Sequence, residues 1–227
     1  MTTQKYMIKA IIFDAGDVVY YRDKETLKPI LDFLKKNDFD ISAEQFLKAY
    51  DEHILEAYKG NISKDEHVKK ILEFFKIKFD DKFFNKYTKV FRRNFGYTKI
   101  KKNIHSVFKK IKSLGIKICI LTDTLTTEES KWKWFKKIDV AQFIDAIICS
   151  SATGHTKDEK EAYIIALKKL NVKSNEAIFV GHKKYEMKGA KLAGIKSVSI
   201  EKNAKGDYYV DDISKILNII KNLNLKT

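Results

Sequence analysis

Polar residues that could handle a phosphate group stand at the ends of several apolar runs. They are a carboxylate, a hydroxyl, an ammonium and a later polar pair: Asp14, Thr122, Lys157, and His182 with Glu186. Buried parallel strands read as continuous apolar runs, and ligands of open α/β sheets bind at the carboxyl ends of such strands. Asp14 alone would equally suit an Asx-turn or a helix cap. Together, however, the five residues predict a phosphate-sized site.

The elements that must position these residues alternate between apolar strands and helical stretches. This alternation predicts an α/β fold, with a doubly wound parallel sheet as its core. A closing helix is expected from Ile213 to Leu223. The predicted strands cover residues 8 to 15, 117 to 123, 145 to 151, 177 to 182 and 196 to 200.

The segment from residue 17 to residue 98 has a different pattern, because its apolar residues recur at helical spacing only. Ser63 and Glu66 within it have the spacing of a capping box, which places the start of a helix at Ser63. We therefore expect two domains: an α/β core formed by residues 1–16 and 99–227, and a helical insertion formed by residues 17–98.

These motifs, in this order, resemble those of the haloacid dehalogenase-like hydrolases, a superfamily made mostly of phosphatases. The resemblance covers nearly the whole chain and implies a Rossmann-like core with an inserted helical cap that closes over the site and selects the substrate. It implies that Asp14 is the catalytic nucleophile. It also implies residues that hold the transferring group, namely Thr122, Asp123 and Lys157, with Thr122 and Lys157 also catalytic. The implied metal corner comprises Asp14, Gly16, His182 and Glu186.

Two positions depart from the pattern of the family that the chain resembles. Gly16 stands where family phosphatases usually carry an Asp that acts as general acid and base, although some branches have Gly there. His182 stands where an Asp usually binds magnesium. Magnesium prefers hard oxygen ligands, so this exchange predicts a weakened Mg²⁺ site, with Mn²⁺ or another transition metal as the alternative. His182 could instead donate a hydrogen bond to phosphate, or remain after catalysis was lost.

Three functions are consistent with these residues. The first is a phosphomonoester phosphatase that acts through an aspartyl-phosphate at Asp14, with an altered metal site. The second is a non-catalytic protein that binds a phosphorylated ligand or serves in regulation. The third is a metal-independent dehalogenase of 2-haloacids, which would need an arginine near the substrate, and Arg22 is the one early candidate.

The charge and composition of the chain limit the kinds of partner that can be expected. The formal net charge is +15, which would favour nucleic acid, but the arginines are only Arg22, Arg92 and Arg93. Arginine is the usual choice for bidentate phosphate and base contacts, so we expect a small phosphorylated or other anionic substrate and no specific nucleic-acid partner. No apolar run has transmembrane length and the first residues lack a signal-peptide core, so a cytoplasmic protein without membrane contact is expected. The oligomeric state is left open.

Other residue types that could carry chemistry are expected to be structural. Cys119 and Cys149 fall within predicted strands and should be buried free thiols. Trp132 and Trp134 alternate with lysines, but should belong to an amphipathic helix packed on the sheet. Four histidines lack ligand spacing and are expected at the surface or outside the immediate site: His53, His67, His105 and His155. Of these, only His155 is close enough to Lys157 in sequence to line the site.

Overall fold

The computed structural model describes residues 7–21, 27–94 and 99–225. The chain divides into two compact units, one formed by residues 1–20 and 100–227 and the other by residues 21–99. The sequence-based prediction placed the two boundaries after residues 16 and 98. No helix in the described ranges has the length and apolar character needed to cross a membrane.

The strands and helices are numbered in chain order. The strands are β1 (Ala10–Asp14), β2 (Tyr20–Tyr21), β3 (Lys99–Ile100), β4 (Lys117–Thr122), β5 (Ala146–Cys149), β6 (Ala177–Gly181), β7 (Lys196–Ser199) and β8 (Tyr208–Tyr209). The helices are α1 (Lys28–Lys35), α2 (Ala43–Glu52), α3 (Ile54–Tyr58), α4 (Lys64–Phe74), α5 (Asp81–Asn94), α6 (Ile104–Ser113), α7 (Glu128–Lys137), α8 (Ser150–Thr153), α9 (Lys160–Leu170), α10 (Lys184–Leu192) and α11 (Ile216–Leu225).

The larger unit is built on a six-stranded sheet with the order β5-β4-β1-β6-β7-β8. Every neighbouring pair in this sheet is parallel. Alternate side chains of β1 point to opposite faces, so Phe13 joins one apolar cluster and Ile12 joins the other. Helices cover both faces, with Phe108 and Phe135 on the first and Tyr163 on the second. The predicted α/β class with a doubly wound parallel sheet is confirmed.

The smaller unit contains helices α1 to α5, as the helical periodicity predicts. The predicted capping box is confirmed, because the Ser63 hydroxyl accepts from the Glu66 N–H and the Glu66 carboxylate accepts from the Ser63 N–H. A second capping box joins Ser42 and Gln45 at the start of α2 and was not predicted. Phe46, Leu72 and other apolar side chains of the unit are fully buried.

Several sequence-based predictions need correction at their edges. The strand β8 was missed, because a two-residue strand carries no periodic signal. Residues Ile213–Lys215 form a 3-10 turn, so the closing helix begins at Ile216 rather than at Ile213. His67 was expected at the surface or outside the immediate site, and the structure buries it fully within the helical unit, with its Nε2 2.9 Å from the carbonyl oxygen of Tyr50.

The cysteines and tryptophans have the structural roles that were predicted for them. Cys119 and Cys149 are buried free thiols, and burial raises the pKa of both. Trp132 and Trp134 belong to α7 and pack against the apolar cluster on the first face of the sheet. The ring of Trp134 also meets the ring of Tyr20 edge to face, with centroids 4.5 Å apart.

Candidate active site

The first strand delivers Asp14 to the carboxyl edge of the sheet. Asp14 is the last residue of β1, its side chain is buried, and it pairs with Leu121 of β4. Thr122 follows Leu121 directly and is buried as well. Since parallel strands end at the same edge, the register brings Asp14 and Thr122 to adjacent strand ends.

Lys157 is the centre of a buried group of charges. Its ammonium contacts Oδ1 of Asp14 and lies 2.7 Å from Oε1 of Glu186. A third carboxylate, that of Asp123, lies 3.8 Å away, and only 4% of the Lys157 side chain is exposed. Burial acts to lower the pKa of Lys157, but the charges of the three carboxylates outweigh burial and raise this pKa well above its usual value. The ammonium therefore stays charged within the protein.

Glu186 is held at the start of α10. Its Oε2 accepts the backbone N–H groups of His182 and Lys183 at 2.9 and 3.0 Å, as a carboxylate does at a helix N-terminus. A Cβ at Gly181 would stand 2.6 Å from this same oxygen, so the absent side chain leaves room for the carboxylate. The Glu186 side chain is fully buried. Both of its oxygens are thus occupied by donors from the chain itself.

His182 lies between two carboxylates. Its Nδ1 is 3.1 Å from Oδ2 of Asp14, and its Nε2 is 3.6 Å from Oδ2 of Asp17. Neither buried ring nitrogen has a well-formed hydrogen bond to any residue that the structure describes. Burial acts to lower the pKa of His182, but the contact with Asp14 and the charge of Glu186 raise it overall.

Asp14 is ionised in this environment. Burial would raise its pKa, but the charge of Lys157 and the contact with His182 lower this pKa below its usual value. An ionised carboxylate whose two oxygens face cationic or donor groups is fixed in one orientation. The arrangement can therefore present a carboxylate oxygen as a nucleophile and hold negative charge beside it.

The chain matches the family model described as haloacid dehalogenase-like hydrolase over residues 11–200. The chain belongs to this family. It is 25% identical over 237 residues to the glyceraldehyde 3-phosphate phosphatase of Methanocaldococcus jannaschii, covering 96% of this chain and 99% of that one. It is also 27% identical over 130 residues to the pyrophosphatase PpaX of Bacillus mycoides, covering 53% of this chain and 60% of that protein.

The solved structures show that the fold is shared. The crystal structure of the 2-haloacid dehalogenase from Pseudomonas syringae pv. Tomato DC3000 superposes with a TM-score of 0.69 at 14% identity, covering 95% of this chain and 99% of that one. At this identity the likeness shows only that the two proteins share the fold of the haloacid dehalogenase-like hydrolases. The reaction has to be inferred from the residues of the site.

Asp123 contributes to the site of this haloacid dehalogenase-like hydrolase through Lys157. Its Oδ1 accepts the backbone N–H of Lys157 at 3.1 Å, and its Oδ2 accepts the Tyr185 hydroxyl at 3.4 Å. Burial, as the largest cause, raises the pKa of Asp123 to about 6, against the opposing charge of Lys157. Asp123 thus contacts Lys157 and Tyr185, and its role as a substrate-binding residue stays a prediction.

The predicted site residues differ in how close they lie to one another in the structure. Asp14, Lys157, His182 and Glu186 lie in direct contact, and Asp123 lies within 3.8 Å of the lysine. Thr122 is brought near by strand register, and Gly16 lies in the turn after β1. The dehalogenase hypothesis depends on Arg22, which lies outside the described residues.

Two groups near the site were missed by sequence reasoning. Asp17 comes three residues after Asp14 and was read only as part of the motif. Tyr163 is buried on α9, and its hydroxyl lies 2.8 Å from the carbonyl oxygen of Glu186 and 3.1 Å from that of Lys157. A spacing argument could have flagged Asp17, because it is the first carboxylate after Gly16. No sequence signal marks Tyr163.

Haloacid dehalogenase-like phosphatases generally use magnesium. The ligand atoms around Asp14 and His182 can therefore be compared with those that magnesium prefers. Asp14, His182 and Glu186 offer one ligand atom each within 4.8 Å of one another. However, Glu186 already accepts three N–H groups, and His182 offers nitrogen where magnesium prefers oxygen. The ammonium of Lys157 contacts both carboxylates and offsets one of their two charges. These residues do not supply the donor set of a magnesium site.

Proposed function

We propose that this haloacid dehalogenase-like hydrolase is a phosphatase of small phosphomonoesters and that Asp14 is its nucleophile. The observation that carries the proposal is the contact between the ionised Asp14 carboxylate and the buried ammonium of Lys157. A buried lysine that stays charged beside a strand-end carboxylate suits the binding of a phosphate dianion at the same place. The relative named as a glyceraldehyde 3-phosphate phosphatase supports the same class of substrate, because glyceraldehyde 3-phosphate is a small phosphomonoester.

The reaction would proceed in two steps on the chain's own residues. An oxygen of Asp14 forms a bond to phosphorus while the ester P–O bond breaks, and the leaving oxygen takes a proton from solvent. A water then attacks phosphorus, the bond to Asp14 breaks, and inorganic phosphate leaves with the carboxylate restored. Lys157 and Thr122 would hold the charge on the transferring oxygens.

Gly16 sets the expected rate of this reaction. It has no side chain to protonate the leaving oxygen, and general acid–base help is typically worth about 10²- to 10⁴-fold in rate. An alkyl phosphate needs that proton more than an aryl phosphate does, because the aryl oxide is the better leaving group. Turnover of alkyl phosphates should therefore be slow, and an aryl phosphate is the most sensitive probe.

The test replaces Asp14 by Asn, which keeps the size of the side chain but removes its negative charge. Asp14→Asn should reduce turnover of an aryl phosphate to the rate in solution without protein, and acid-quenched wild type should carry a phosphoryl group on Asp14 in mass spectrometry. Asp139→Asn is the matched control, since Asp139 is largely exposed. Wild-type turnover in Asp14→Asn would reject the covalent mechanism. Absence of turnover in wild type, across many substrates and metals, would favour the non-catalytic binding protein.

A further inference from the structure

We infer that the imidazole of His182, held between the carboxylates of Asp14 and Asp17, takes the place of a divalent cation, so that the site binds phosphate without a metal. The inference rests on the proposed function, because it concerns how the same pocket holds the phosphate. It goes beyond that function by assigning Asp17 and His182 a joint role and by removing the metal requirement.

The two oxygens of Asp14 are already matched by nitrogen groups of the chain. Oδ1 contacts the ammonium of Lys157, and Oδ2 lies 3.1 Å from Nδ1 of His182. A metal ion bound to Asp14 would have to displace one of these two groups. Lys157 is anchored by Glu186 at 2.7 Å, so the imidazole occupies the place beside Oδ2 that a metal ion would take.

Asp17 lies on the side of the imidazole opposite Asp14. Its Oδ2 lies 3.6 Å from Nε2 of His182, while 60% of its own side chain is exposed. Asp17 has a φ of 55°, the left-handed region that an aspartate visits more readily than most residues. This backbone conformation occurs in the turn that directly follows β1. A carboxylate oxygen therefore faces each nitrogen of the ring.

The ring nitrogens of His182 face carboxylate oxygens at 3.1 and 3.6 Å, but neither makes a well-formed hydrogen bond to a residue that the structure describes. A buried nitrogen without a hydrogen bond is costly, so a group that supplies acceptors would be favoured at this position. Phosphate oxygens are such acceptors, and the ammonium of Lys157 nearby favours an anion over a cation. A phosphate placed beside Asp14 would therefore meet two nitrogen donors where a magnesium enzyme offers a metal ion and a lysine.

The experiment measures binding of inorganic phosphate by calorimetry, in EDTA and in excess magnesium. Wild type should bind phosphate equally in both buffers. The His182→Asp variant restores a hard oxygen donor, so magnesium should tighten its phosphate binding by about 5- to 150-fold, the usual range of coupling between two ligands. His105→Asp is the matched control, because His105 likewise faces an aspartate, Asp139, at 3.6 Å but lies outside the site. It should behave as wild type.

A second variant at the same position allows the inference to be tested even where His182→Asp does not fold. His182→Gln replaces the imidazole with a neutral amide of similar length, and it should lose phosphate binding in EDTA without gaining a response to magnesium. Wild-type binding that requires magnesium, manganese or zinc would overturn the inference while leaving the proposed function in place. Failure of wild type to bind phosphate under any of these conditions would overturn both, and turnover of an aryl phosphate in EDTA would support both.

Discussion

Lys157 joins the charged residues of the site, because two buried carboxylates share its ammonium. Asp14 and Glu186 both contact its Nζ. Removing one member of a buried ion group leaves the others uncompensated, which is far more costly than the loss of an exposed pair. Lys157 therefore serves stability as well as any binding of phosphate.

The variant Lys157→Met should lower the free energy of unfolding by about 3–5 kcal/mol at neutral pH, measured by urea unfolding. In wild type the lowered pKa of Asp14 means that its charge favours the folded state above the unfolded pKa near 3.8. Without the lysine, burial would raise the pKa of Asp14, so the folded state should lose stability as pH rises. The loss should therefore be larger at pH 8 than at pH 5.

A matched control exists in the partly exposed pair of Lys112 and Asp145, whose atoms lie 2.8 Å apart. Lys112→Met should cost only about 0–1 kcal/mol. Equal losses for the two lysine variants, or a loss that shrinks as pH rises, would show that the charge group around Lys157 has been misread.

Only some of the contacts among the site residues could be predicted from the types of residue in the sequence. Asp14 and Lys157 could be predicted because a carboxylate and a lysine stood at expected points after strands. The spacing of Asp17 after Gly16 could have marked it as a carboxylate near the site, but its contact with His182 could not be predicted. That contact depends on a left-handed backbone at Asp17 and on the direction of the His182 ring. Neither leaves a mark in composition or spacing.

Helix α10 can lie close to the backbone of Lys157 because its residue 189 is a glycine. A Cβ at Gly189 would stand 2.1 Å from the carbonyl oxygen of Lys157 and 2.8 Å from the ring of Tyr163. The helix can thus bring Glu186 against the lysine only while residue 189 lacks a side chain.

The substitution Gly189→Ala should destabilise the protein by about 1–3 kcal/mol, although alanine is normally the better helix former. The clash is with backbone, so it cannot be relieved by a rotamer change. Thermal or urea unfolding measures the effect, and Lys188→Ala on the exposed face of the same helix should change stability by less than about 0.5 kcal/mol. A stabilised Gly189→Ala protein would contradict the packing described here.

Strands were easier to predict from sequence than the ends of elements. Four of the five longer strands of the parallel sheet, β1, β4, β5 and β6, are nearly continuous apolar runs, because both faces are covered by helices. Strand β7 is the exception, since Val198 is its one apolar residue. Strand β8 and the turn before α11 escaped prediction, since they are set by tertiary contacts rather than by periodicity. His67 escaped for the same reason, because its burial follows from the packing of the helical unit.

At the scale of the whole molecule, the net charge of +15 is carried mostly by lysine. We expect any binding to DNA or RNA to be weak, insensitive to sequence and lost as salt rises toward physiological values, because only counterion release drives it. Fluorescence anisotropy with two unrelated duplexes over a salt series measures this. Tight binding that depends on sequence at physiological salt would contradict the expectation and would make the Trp132 and Trp134 segment the surface to mutate.

The central position of β1 has a consequence for how the chain is made. Ala10 pairs with Lys117 on one side and with Ala177 on the other. During synthesis the first strand therefore leaves the ribosome long before either neighbour exists, whereas the helical unit is complete in sequence before β4 appears. Such distant pairing slows folding and leaves an apolar strand exposed in the nascent chain. The carboxylate of Asp14 meets Lys157 and His182 only after most of the chain has emerged.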